Sequence, residues 1–207
     1  MRILDISPVI SARLAVWPGD TTFSRTVSSA MARGDNLDLS SITTTLHVGA
    51  HADAPSHYVR EGPGISDLEL SPYLGPCQVV KVSLPRGARI MPADIGEIRA
   101  PRVLFRTGSF QDPDHFETDF NSLSPELIER LLAEGCVLVG IDTPSVDPFE
   151  SIALESHQAL ARTGMRNLEG LVLDHVEPGS YTLIALPLKI EGADASPVRA
   201  VLMTETP

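Results

Sequence analysis

Ser124-Pro125-Glu126-Leu127-Ile128-Glu129-Arg130-Leu131-Leu132-Ala133-Glu134-Gly135-Cys136-Val137-Leu138-Val139-Gly140-Ile141 decides the fold class. Ser124 suits the N-cap, Pro125 the first helical position and Glu126 the first turn, while Gly135 after Leu131-Leu132 stops the helix. A short apolar run, Val137 to Ile141, follows at once and reads as a buried strand. A helix feeding directly into such a strand belongs to folds in which helices cover a sheet.

Working outward, Gln78 to Ser83, Val103 to Arg106 and Tyr181 to Ala185 also read as strands, rich in Val, Leu and Ile and bounded by Gly or Pro. A second helix is expected over Ser151 to Arg162, with Gly164 just beyond its end. Seventeen prolines and fifteen glycines cut the chain into short elements, with no internal repeat or linker. The expectation is a strand-rich α/β domain with a mixed sheet core and a few covering helices, residues 1–207 forming one domain.

Composition narrows the partners. A formal charge of −11, spread without a block of Lys or Arg, repels phosphate backbones and anionic lipid, so neither nucleic acid nor membrane is expected as a partner. No stretch approaches the roughly 18 apolar residues of a membrane span, and the chain opens without a charged-then-apolar leader, so a cytoplasmic protein is expected. Cys77 and Cys136 adjoin apolar runs and read as buried inert thiols.

Chemistry concentrates in His47-Val48-Gly49-Ala50-His51-Ala52-Asp53-Ala54-Pro55-Ser56-His57. Distinctive residues recur at every second position, separated by small ones. With the β-favouring Ile42-Thr43-Thr44-Thr45-Leu46 before it, a strand entering the run would project His47, His51 and Asp53 from one face until Pro55. Two imidazoles and a carboxylate on one side suit a divalent ion such as zinc or manganese. His57, beyond Pro55, could approach from the side as a general acid/base, or serve as a third imidazole ligand or its hydrogen-bond partner. Further ligands must come from elsewhere. His157, read as mid-helix, and Glu169, at the head of an apolar run, are the candidates, each balanced against an ordinary exposed or salt-bridged side chain.

Other charged groups read more plainly. Asp142 and Asp147 are expected to brace turns or support the site, His115 to lie on the surface, His175 to cap or lie on the surface, and Arg86 and Arg89 to be solvated rather than to bind a substrate carboxylate.

The run resembles the His-x-Gly-Thr-His-x-Asp-x-Pro-x-His signature of the cyclase family of metal-dependent hydrolases. The likeness extends from Leu4-Asp5-Ile6-Ser7-Pro8 through Val16-Trp17-Pro18-Gly19-Asp20 to Glu191-Gly192-Ala193-Asp194-Ala195-Ser196-Pro197-Val198-Arg199. Ala50 replaces the signature Thr, as in the formamidase branch. The resemblance implies a swivelling β/β/α-like fold and two divalent ions, zinc foremost. His47, His51 and Asp53 would bind one ion, and Asp53 and Glu169 would be shared with a second ion held by His157. His57 would carry the proton, and Trp17, the only tryptophan, would stack on an aromatic formamide substrate. It further implies a homodimer and hydrolysis of N-formyl-L-kynurenine. Rival readings are a sister hydrolase opening a cyclic amide such as isatin, a non-heme iron oxygenase built on two His and one carboxylate, and a non-catalytic metal scaffold.

Overall fold

A computed structural model describes residues 1–204. In chain order the strands are β1 (Arg2–Asp5), β2 (Ser24–Ser29), β3 (Leu39–Thr43), β4 (His51–Asp53), β5 (Leu74–Lys81), β6 (Arg89–Ile90), β7 (Arg102–Arg106) and β8 (Ser122–Leu123). Helix α1 (Pro125–Ala133), β9 (Leu138–Ile141), α2 (Glu155–Thr163), β10 (Arg166–Leu168), β11 (Gly179–Ile184), β12 (Ala195–Pro197) and β13 (Val201–Thr204) complete the order. The architecture is α/β, as the sequence implied.

The main sheet runs β1-β13-β11-β5-β7-β9-β10 and is mixed. β5, β7, β9 and β10 are mutually parallel, whereas β11, β13 and β1 join antiparallel. Alternation along β7 and β9 explains the layering. Val103, Phe105, Val139 and Ile141 face one way and pack with Leu127, Ile128 and Leu131 of α1 and Leu160 of α2. Leu104 and Leu138 face the other way, where Ala50, Ala52 and Ala54 cover them. β4 pairs with β12 and lies over the sheet on that second side.

The helices follow their signals, with one shift. Ser124 caps α1 by accepting the Leu127 N–H, and Gly135 takes the left-handed conformation after it. α2 starts later than the Ser151 expected, at Glu155, because Leu154 adopts φ 49°, a left-handed geometry no helix can pass through. His157 therefore sits in the first turn of α2 rather than mid-helix.

The hairpin of β2 and β3 stands apart from the core, leaving Val27, Leu39 and Ile42 exposed. Among the described residues, no helix is long and apolar enough to cross a membrane. Cys77 and Cys136 are free and buried, and burial pushes both thiols up, to about 12 and about 11.

Candidate metal centre and cleft

Three segments meet above the carboxyl ends of β9 and β10, where parallel α/β sheets commonly place their ligands. The first is the His-rich run. The strand expected to carry it from Ile42 onward does not persist: β3 ends at Thr43, and the chain turns through Gly49 at φ 61° before β4 begins. His47 thus arrives from a turn. Through β4 and its flanks the alternation holds, with His51 and Asp53 turned to one side, also buried, and Ala50, Ala52 and Ala54 in the core on the other. Small side chains there let the strand lie close against the sheet.

Glu169, just after β10, forms a backbone bridge with His51, at 3.1 Å from the His51 N–H and 3.0 Å from the Glu169 N–H. Gly170 makes this approach possible. A Cβ on Gly170 would stand 2.2 Å from the Gly49 carbonyl oxygen, and its φ of 65° is itself glycine territory. α2 supplies His157 as the third segment.

The side chains converge. His51 Nε2 lies 3.3 Å from Glu169 Oε2 and 3.5 Å from Asp53 Oδ1, and His157 Nε2 lies 3.4 Å from both Asp53 Oδ2 and Glu169 Oε1. His47 Nδ1 stands 3.0 Å from Asp53 Oδ1. Ligand atoms of His47, His51 and Asp53 lie within 4.8 Å of one another, as do those of Asp53, His157 and Glu169. Asp53 is common to both groups.

Partners outside the cluster fix which nitrogens face it. His51 Nδ1 donates to the Gly49 carbonyl at 2.8 Å and His157 Nδ1 to Asp147 at 2.8 Å, leaving both Nε2 atoms for the centre. His51 Nε2, Asp53 Oδ1 and His157 Nε2 are buried without a hydrogen-bond partner. Such orphaned atoms are costly unless a cation takes them up.

Electrostatics agree. Burial opposes charge on Asp53, yet His157, His47 and His51 hold its carboxyl well below the usual range. Burial and Asp53 likewise oppose charge on Glu169, but His157 and His51 bring it down. Burial also works against a proton on His47, and Asp53 and Asp194 override it, lifting His47 to about 9. Against the same burial, Asp147, Asp53 and Glu169 raise His157 well above its ordinary value. The cluster demands positive charge, and the donor set of imidazole and carboxylate suits a divalent transition ion.

His57 ends a single turn of 3-10 helix, Pro55–His57, and reaches the cluster from the side. Its ring centre is 4.2 Å from that of His47 and 6.0 Å from that of His157. Burial and the neighbouring His47 pull its pKa below the ordinary 6.5, against the carboxylates of Asp53 and Glu169. Trp17, in a turn closed by the Asp20 N–H on the Trp17 carbonyl, lines the adjoining cleft with His47 and His51. Phe149 and Phe116 hold its ring at 5.0 and 5.5 Å.

Three neighbours escaped the sequence reading, and a fourth, Arg89, was misplaced by it. Asp194 Oδ2 stands 3.0 Å from His47 Nε2 and 3.4 Å from His57 Nδ1, between the two imidazoles. Asn167 Nδ2 donates to Asp53 Oδ2 at 2.7 Å and Glu169 Oε1 at 3.2 Å. Tyr58 packs its ring 5.1 Å from that of His157. Arg89, expected to be solvated, is half-buried, with Nη1 bonded to Leu123 O and Ser156 Oγ and 3.3 Å from Asp147 Oδ1. Only Asp194, inside a stretch of family likeness, carried any signal. Asp142 braces a turn, accepting the Thr107 and Gly108 N–H groups and the Thr107 hydroxyl. His115 and His175 are exposed.

The Cyclase family model matches residues 4–148. Kynurenine formamidase of Sphingopyxis alaskensis is 44% identical, covering 97% of each chain. That of Polaromonas naphthalenivorans is 46% identical over 98% of this chain and 91% of its own. A solved structure described as a potential metal-dependent hydrolase with cyclase activity superposes with a TM-score of 0.84 at 28% identity, covering 100% of this chain and 99% of its own.

Proposed function

The chain belongs to the cyclase family, and from that premise we infer that it is a metal-dependent amidohydrolase that hydrolyses N-formyl-L-kynurenine to L-kynurenine and formate, a step of tryptophan degradation. The observation that carries the reading is the convergence of buried, partnerless imidazole and carboxylate atoms beside an aromatic-lined cleft.

The proposal assigns His47, His51 and Asp53 to one ion and His157 to a second, with Asp53 and Glu169 shared, and takes both ions as zinc, manganese being the substitute. Supporting it are the two ligand groups with Asp53 in common. An ion so held lowers the pKa of a water and polarises the formyl oxygen. The rest falls to the chain.

Trp17 offers a flat apolar face to the aryl ring, held upright by Phe116 and Phe149. His57, whose pKa is depressed, is neutral near pH 7 and takes the proton of the attacking water. As the bond from formyl carbon to nitrogen breaks, His57 returns that proton to the aryl nitrogen, which otherwise leaves as an anion. Formate and the free aryl amine result. Asp194, 3.4 Å from His57 Nδ1, orients the ring and steadies its transient charge.

Ligands drawn from residues 47 to 169 and the support of Asp194 favour one hydrolase domain spanning the chain. A homodimer and a cytoplasmic setting complete the proposal. The exposed Val27, Leu39 and Ile42 of the β2–β3 hairpin favour the dimer, and the two free thiols suit a reducing compartment. An iron oxygenase needs only two His and one carboxylate, so the second ligand group favours the hydrolase. Incubating purified protein with N-formyl-L-kynurenine tests the function: kynurenine and formate should appear in equal amounts without oxygen. Turnover that requires oxygen would reject it.

A further inference from the structure

N-formyl-L-kynurenine carries an α-carboxylate remote from the formamide, and we propose that Arg106 binds it. This assignment rests on the formamidase reading and deepens it. Arg106 ends β7, directly beside the β9 end, and is half-buried in the wall of the cleft that Trp17, His47 and His51 also line. Among the described residues it is the only Lys or Arg lining that cleft, whose other walls include Phe110, Phe116 and Leu171.

Its pairing leaves it available to a ligand, unlike that of Arg86 and Arg89. Arg86 is paired with Glu117 and Asp119, and Arg89 with Asp147 and Glu155. Those pairs remove both from the candidates for substrate binding. Arg106 makes no ion pair among the described residues, and its one hydrogen bond runs from Nη1 to the Val176 carbonyl at 2.7 Å. Asp142, the buried acid lining the same cleft, is 4% exposed, makes no ion pair with Arg106 and accepts instead from Thr107 and Gly108.

A half-buried guanidinium with its remaining N–H groups free, aimed into an apolar cleft, matches a carboxylate ligand in charge and fork geometry. The Val176 bond holds the group in place before substrate arrives. Asp174, lining the same cleft with a carboxylate 75% exposed, supplies the opposite charge for the substrate ammonium. The cleft then reads the substrate in three parts: formamide at the His cluster, ring at Trp17, carboxylate at Arg106.

The experiment compares kcat/KM for N-formyl-L-kynurenine, its methyl ester and formanilide, in the wild-type protein and in Arg106→Gln. The wild type should prefer the acid to the ester by about 30- to 100-fold, mainly through KM, as expected for a charge-assisted bidentate contact. Arg106→Gln should collapse that preference and lower the ratio of acid to formanilide by a similar factor. Equal losses on all three substrates would mean that Arg106 only holds the Val176 segment, and would overturn the assignment. An acid and ester hydrolysed equally by the wild type would overturn it without any variant, which covers the case of a variant that fails to fold. Wild-type protein that hydrolyses none of the three would reject the formamidase reading itself, and the assignment with it.

Discussion

Asp147 accepts the Nδ1 hydrogen of His157 at 2.8 Å while the same carboxylate takes the backbone N–H groups of Ser156 and His157 at 2.9 and 3.0 Å. One side chain thus caps α2 and fixes the tautomer that turns His157 Nε2 towards Asp53 and Glu169. Asp147 can only accept, because His157 and the two backbone N–H groups outweigh burial and lower its pKa to about 2. Arg89 stands behind it at 3.3 Å.

Asp147→Asn retains the shape and a capping oxygen but not the charge behind the imidazole. Metal affinity is expected to fall about 10- to 100-fold, measured by competition with a chromophoric chelator. Metal-free stability should also fall, by about 2 to 3 kcal/mol, because the buried His157 and Arg89 lose the charge they pair with. Unchanged metal affinity would mean that Asp147 serves the helix alone.

The contact of Gly170 with Gly49 makes a second test. Ala at position 170 meets a backbone oxygen at 2.2 Å, whereas Gly164, at a similar φ of 70°, has nothing within 4 Å of an added Cβ. Gly164→Ala should cost about 1 kcal/mol of left-handed strain. Gly170→Ala should cost distinctly more, about 3 kcal/mol, and reduce metal content, because the His51–Glu169 bridge must open. Equal denaturant midpoints for the two variants would refute this account of the close approach.

How much of this was legible in the sequence follows the range of the interactions. α1 and β9 were readable because Ser124, Pro125 and Gly135 act within a turn of their own positions. The alternation of Ala50, Ala52 and Ala54 with His51 and Asp53 was readable for the same reason. The departure of His47 from the strand was not, since it depends on the left-handed Gly49 meeting Gly170 across 121 positions of chain. Asn167 reaches Asp53 across 114 residues, and Arg89 reaches Asp147 across 58. No local pattern marks such partners; only the folded sheet brings them together.

His57 carries the proposed proton step. His57→Gln should lower kcat about 10²- to 10⁴-fold while metal content stays at the wild-type level. Burial favours the neutral ring, so the folded pKa lies below 6.5 and the base form persists to more acidic pH than a free imidazole allows. The limb of the kcat/KM profile that disappears in His57→Gln should therefore lie below pH 6.5. A vanished limb above that value would assign the proton step elsewhere.

The central claim is that buried His and carboxylate atoms hold the ions on which formamide hydrolysis depends. Titrating zinc into thoroughly chelated protein, with metal per chain and formate release from N-formyl-L-kynurenine followed together, tests it most directly. Activity should be absent at the start and rise with occupancy to a plateau at two ions per chain. Full formate release from protein that retains no metal would contradict the account.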